Sequence, residues 1–155
     1  MSQDSIPIND QIRREIVSIL SVKYQPLMRA KRSHGGLYST ADQSIKVVIA
    51  VSRRYPAGNF WYSYNKYRDE FLASARCGLY VLGCVGRNEA FALPFDWITK
   101  KREVLNATTT AGSVFHHIRV CPDSAGDLSL YLNNGKREPL RQFAVSLSAR
   151  SATAS

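Results

Sequence analysis

Between Arg53 and Arg68 the chain sets six aromatic rings (Tyr55, Phe60, Trp61, Tyr62, Tyr64 and Tyr67) among four cations within sixteen residues. Ring faces can stack on unpaired bases or wall in a flipped one, and Arg53, Arg54, Lys66 and Arg68 can hold phosphates. The wider chain suits such a task, because 21 Lys and Arg against 12 Asp and Glu leave a formal net charge of +9. An excess of this sign favours polyanionic partners. Nine of the cations and four of the acids lie in residues 1–60, a local balance of +5. Arg29, Lys31, Arg32 and His34 cluster in a segment that runs into Gly35-Gly36, which reads as an exposed basic loop. We therefore expect nucleic-acid contact through Arg29, Lys31, Arg32, Arg53, Arg54, Tyr55, Trp61, Lys66 and Arg68, with DNA favoured over RNA. The competing expectation is a protein-interaction subunit or homodimer. Surface charge also serves plain solubility, and aromatics on strands usually fill cores.

His116-His117 is the second feature with chemistry in it. The run His116-His117-Ile118-Arg119-Val120-Cys121-Pro122, followed by Gly126 and Asn133, resembles the opening of an HNH nuclease. That family uses one His of such a pair as general base and a later His as metal ligand. Here no histidine follows His117 and no Cys-x-x-Cys pair is present, leaving only His34 upstream. One His pointing inward and one outward from a strand is the plainer expectation.

Strand-like Ile45 to Ser52, then Leu79 to Val85, then Glu89 to Pro94 leading into a helix, resembles the element order of PD-(D/E)XK nucleases. Those enzymes hold Mg²⁺ on an Asp followed by Glu-x-Lys or Asp-x-Lys. Asp42 could begin such a set, but Val47 to Arg53 contains no carboxylate. A metal-dependent nuclease with an unconventional site from Asp42, Glu89, His116 and His117 is thus kept only as an alternative. No Gly-x-x-x-x-Gly-Lys-Ser/Thr or Gly-x-Gly-x-x-Gly motif occurs. We expect no catalytic set, no cofactor and no metal.

Val51-Ser52-Arg53-Arg54-Tyr55, Asp69-Glu70-Phe71-Leu72, Tyr80-Val81-Leu82-Gly83-Cys84 and Ala90-Phe91-Ala92-Leu93-Pro94 together resemble small accessory domains of bacterial restriction and defence proteins. The resemblance implies DNA recognition rather than cutting. It carries over no functional residue.

The elements that must position these groups follow from periodicity. At 155 residues, 45% hydrophobic and 21% charged, the chain is expected to be one globular domain over 1–147 with a flexible tail at 148–155. Apolar runs are strand-length, and Met1 to Asn9 lacks a leader pattern, so a cytoplasmic address without membrane contact is expected. Cys77, Cys84 and Cys121 are odd in number and read as buried thiols. Ile8, Ile12, Ile16, Ile19 and Leu20 predict an amphipathic helix over 9–22, ended or kinked by Pro26. Strands are predicted over Ile45–Ser52, Phe60–Asn65, Leu79–Val85, Glu89–Leu93, Val114–Cys121, Leu128–Leu132 and after Asn133-Asn134-Gly135. Pro56-Ala57-Gly58-Asn59 reads as a hairpin connection, Tyr67–Ala75 as a short helix, and Asp96 as the cap of a helix to Leu105. Thr108-Thr109-Thr110 reads as a turn and cap after that helix. The resulting class is α+β, with a curved, largely antiparallel, pseudo-barrel-like sheet and two or three helices.

Overall fold

The computed structural model describes residues 6–30 and 36–148. Lys31, Arg32 and His34, and the predicted tail beyond Ser148, lie outside the described residues. The chain is α+β, as the periodicities predict, and its order explains how one strand comes to be buried on both faces.

Helix α1, Ile8–Lys23, begins after Pro7 and ends before Pro26. Its buried residues Ile12, Ile16 and Leu20 recur at three to four residues, a stripe suited to one apolar surface. That surface is strand β3, Ile45–Ser52, and its parallel neighbour β5, Cys77–Cys84. Val47, Ile49, Leu79 and Val81 face α1, whereas Val48, Ala50, Tyr80 and Leu82 face the other way. Every residue from Val47 to Ala50 is buried, so β3 needs covering on both sides. Full burial of each Val or Ile side chain among them is worth about 1.5–3 kcal/mol.

The second cover is supplied by the segment after β3. Tyr55 and Asn59 close a tight loop by a backbone bond, and the chain leaves the first sheet there. Strand β4, Phe60–Tyr64, then pairs with β8, Ser113–Pro122, instead of returning along β3. Pro56 to Asn59 is therefore a sheet-switching loop and not a hairpin. Helix α2, Lys66–Ala73, carries the chain back to β5, and this crossover makes β3 and β5 parallel.

The first sheet runs β1 (Met28–Arg29), β2 (Leu37–Ser39), β3, β5, β6 (Glu89–Pro94), β11 (Ala144–Ser146). The second runs β10 (Arg137–Pro139), β9 (Leu128–Tyr131), β8, β4, with β7 (Asn106–Thr110) also paired to β8. All pairings but β3–β5 are antiparallel. The two sheets are open and face each other across the larger core, so the expected pseudo-barrel is replaced by layers: α1, first sheet, second sheet.

Two further elements differ from expectation. Helix α3, Phe95–Thr99, stops well short of Leu105, and Asp96 sits in its first turn without capping it. Asn133 donates from its side chain to the carbonyls of Glu103 and Leu105 and from its backbone to Val104, which docks this segment on the end of β9. The Thr cluster is strand β7, closed onto β8 through Ala111 (φ 50°) and Gly112 (φ 81°). Two left-handed residues in a two-residue loop match the twist that a hairpin requires.

Candidate nucleic-acid interface

Strand β4 decides which aromatics are available. Phe60, Tyr62 and Tyr64 are 1%, 4% and 2% exposed and enter the core, whereas Trp61 is 40% exposed on the outer face. Side chains alternate across a strand, so this split follows from β4 lying on a half-buried sheet.

The register then lines up a row that no single strand displays. Trp61 on β4 stands opposite Arg119 on β8, Arg119 opposite Tyr131 on β9, and Tyr131 opposite Arg137 on β10. Ring and cation alternate across four strands. The Arg119 guanidinium lies 5.5 Å from the Trp61 ring and 5.2 Å from that of Tyr131, and Arg137 lies 5.7 Å from Tyr131. Such contacts are worth about 0.5–2 kcal/mol each, depending on desolvation. Arg119 Nε is buried and finds no hydrogen-bond acceptor among the described residues.

A second, polar row lies beside the first. Ser63 stands opposite His117, and His117 opposite Asn106. His117 meets the Trp61 ring edge-on at 5.7 Å and hydrogen-bonds Thr108 Oγ1 through Nε2 at 2.9 Å. Together the rows make an outer face with exposed ring area, cations and hydrogen-bonding groups.

Beneath this face the phenols act as struts. Tyr62 Oη donates to Gly83 O at 2.8 Å and lies 3.1 Å from Cys84 Sγ. Tyr64 Oη donates to Asp69 Oδ1 at 2.6 Å. Tyr80 Oη donates to Ser63 O and accepts from Arg68 Nη1, which also reaches Ser63 O at 2.7 Å. Burial pushes the Tyr62 and Tyr64 phenols up and takes Tyr80 to about 12, so all three remain protonated donors. The Cys84 thiol likewise rises to about 12 through burial and is no nucleophile.

No protein-family model matches the chain, and no curated protein matches it.

The residues expected from sequence separate into different places. Trp61 stands on the outer face. Arg53 and Arg54 are exposed in the sheet-switching loop, with Arg53 4.4 Å over the half-buried Tyr55 ring. Gly58 of that loop sits against Pro122 at the end of β8, so these cations flank the Trp61 end of the row. Lys66 is exposed at the start of α2, 3.7 Å from Glu70. Arg68 turns inward to Ser63 and Tyr80 and so holds β4 in place. Arg29 is elsewhere, in a groove with Arg13, Arg14 and Tyr38 on the α1 side.

The alternative nuclease set does not assemble. Asp42 is absorbed by a turn, accepting from Ser44 N and Oγ and from Thr40 Oγ1, which holds its carboxyl down at about 2. Glu89 pairs with Arg87 Nη2 at 2.6 Å. His116 and His117 project from opposite faces of β8, as adjacent strand residues must. Among the described residues no group of three or more His, Cys, Asp or Glu could hold a metal ion.

Arg119, Tyr131 and Arg137 were not identifiable as site residues from sequence. Each sits in or next to a predicted strand, but their meeting depends on a four-strand register. A single sequence carries no direct signal for that.

Proposed function

We propose that this chain is a non-catalytic nucleic-acid-binding domain that receives unpaired bases on the outer face of its second sheet. The Trp61–Arg119–Tyr131–Arg137 row is the observation that supports the reading most. Ring faces offer stacking worth about 1–3 kcal/mol per base, and arginines between them offer both phosphate contacts and planar surfaces of their own. Arg53 and Arg54 extend the positive surface at one end of the row. The +9 charge supplies the long-range attraction. Single-stranded DNA is the partner favoured by this arrangement, because an open row of rings has no duplex groove to follow. The resemblance to accessory domains of restriction and defence proteins points towards recognition in the same way.

The test is fluorescence anisotropy with labelled single-stranded and duplex oligonucleotides at about 50 mM salt, where phosphate contacts are strong. The single strand should bind more tightly. Tyr131→Ala should lower its affinity by about 1–3 kcal/mol while leaving duplex binding nearly unchanged. Undetectable binding to both polymers would remove the proposal, as would a Tyr131→Ala variant that binds the single strand at full strength.

A protein-interaction role has one observation in its favour. Residues 107–115, the β7–β8 hairpin, carry no charge in a strongly basic chain, and Val114 and Phe115 are 51% and 40% exposed there.

A further inference from the structure

Where β4 passes into α2, at the other end of the strand from Arg53 and Arg54, the chain lines an open pocket of about 420 Å³. This volume lies within the range of small-molecule sites. None of Trp61, Arg119, Tyr131 and Arg137 lines it, so it is separate from that row. Its apolar wall is the hairpin pair Val114 and Phe115, whose side chains are exposed to solvent. Its polar wall is Asp69, Arg102 and His116, and Asn65 and Lys66 line it from the start of α2.

The polar groups are set in a particular way. Asp69 Oδ1 accepts from Tyr64 Oη at 2.6 Å and from Arg102 Nη2. Asn65 Oδ1 caps α2 by accepting from Arg68 N at 2.8 Å, which leaves its amide hydrogens as donors. Arg102 bonds Asp69, and Lys66 lies 3.7 Å from Glu70 with its side chain 87% exposed, so both cations reach an incoming anion from ion pairs at the pocket rim. The His116 imidazole is pushed towards its neutral form by burial and by Arg102.

A ligand for such a pocket must carry an anionic group, a flat apolar body and an edge with both donors and acceptors. We propose that the pocket binds a nucleoside monophosphate unit, with its base on Phe115 and Val114 and its phosphate on Lys66 and Arg102. The Asp69 carboxylate then accepts from the base edge or the sugar, and the Asn65 amide donates to an acceptor there. The same unit could arrive as a free nucleotide or as the phosphorylated end of a strand. Trp61 and Asn65 are four residues apart, about 13 Å along an extended chain at 3.3 Å per residue.

The experiment is amide chemical-shift mapping of the whole protein with each of dAMP, dCMP, dGMP and dTMP, and with inorganic phosphate as control. At least one nucleotide should shift the amides of residues 64–69 and 112–116 and bind more tightly than phosphate. Phe115→Ala and Lys66→Ala are surface changes, and each should weaken that nucleotide by at least about fivefold, the lower end of a stacking contribution. Trp61→Ala should leave it unchanged, which separates this site from the outer face. Failure of strand binding with nucleotide shifts retained would count against the outer face alone. Oligonucleotides of one sequence with a 5′-phosphate, a 3′-phosphate or neither distinguish the sources. Loss of preference for a phosphorylated end in Phe115→Ala identifies the strand end, and no such preference identifies the free nucleotide. The proposal is overturned if no nucleotide shifts these amides at millimolar concentration, if phosphate alone binds as tightly, or if neither variant weakens binding.

Discussion

Replacing Trp61 and replacing Tyr62 should injure different properties, because adjacent strand residues serve opposite faces. Trp61→Ala removes a ring that is 40% exposed, so the fold should keep its unfolding midpoint nearly unchanged while single-strand binding weakens by about 1–3 kcal/mol. Tyr62→Phe removes only the hydroxyl that donates to Gly83 O. A buried acceptor left without its partner costs about 1–3 kcal/mol, so this variant should unfold at lower urea with binding at native strength. Urea melts and oligonucleotide titrations on both proteins measure the two effects. A Tyr62→Phe variant that keeps its stability and loses binding would place the functional face inward. This division was legible in the sequence, since Phe60, Tyr62 and Tyr64 share one parity and Trp61 and Ser63 the other. The partners of Trp61 were not. Arg119 reads as an ordinary strand cation until β8 is laid beside β4 and β9. Arg68 shows the converse failure: among aromatic and basic neighbours it reads as a phosphate contact, yet it holds the Ser63 carbonyl and the Tyr80 phenol.

At the scale of elements, legibility tracked how local the cause is. Helix α1 was predicted over 9–22 and spans Ile8–Lys23, and β3 occupies its predicted residues, because an apolar stripe and a β-branched run act within the segment itself. The failures were decided by distant partners. Pro56 to Asn59 has hairpin composition, but β4 is captured by β8 because β3 needs a cover on its second face. The Thr108–Thr110 run was read from its hydroxyls as a turn, whereas threonine is a good strand residue once a neighbour strand is present. Its turn also carries a measurable strain. Ala111 adopts φ 50°, a left-handed conformation that costs a residue with a Cβ about 1–2 kcal/mol. Asn tolerates that region better, and Asn-Gly is the preferred pair for such a loop. Ala111→Asn should therefore slow amide exchange through β7 and the facing half of β8, with little change in β3 or β5. Hydrogen exchange followed residue by residue measures this. Faster exchange in β7 would mean that the hairpin does not depend on the turn as its backbone angles imply.

For the whole molecule the deciding quantity is the distribution of charge over layers. Arg29 lies in a groove with Arg13 and Arg14 beside α1, while Arg53, Arg54, Arg119 and Arg137 belong to the second sheet and its loop. The first sheet stands between them, so one strand crossing the row of rings does not engage both sets. The sequence legibly set out the excess of cations but not this partition, because opposite faces of a layered fold draw residues from all along the chain. Partition gives the salt dependence a testable form. Each phosphate neutralised contributes about 0.7 to the slope of log affinity against log salt for a single strand. A strand on the outer face should therefore show a slope set by the second-sheet cations. Arg54→Ala should flatten it by about 0.7 and weaken all sequences alike. Arg14→Ala removes the same charge from the α1 groove and should leave the slope within error of the parent. Trp61→Ala should lower affinity at every salt concentration with the slope preserved, since stacking releases no counterions. Salt titrations of the parent and these three variants with one oligonucleotide test all of this together. If Arg14→Ala and Arg54→Ala flatten the slope equally, net charge alone governs association and the outer face has no special claim. If only Arg14→Ala does so, the strand lies in the α1 groove, and the row from Trp61 to Arg137 serves to hold the second sheet together.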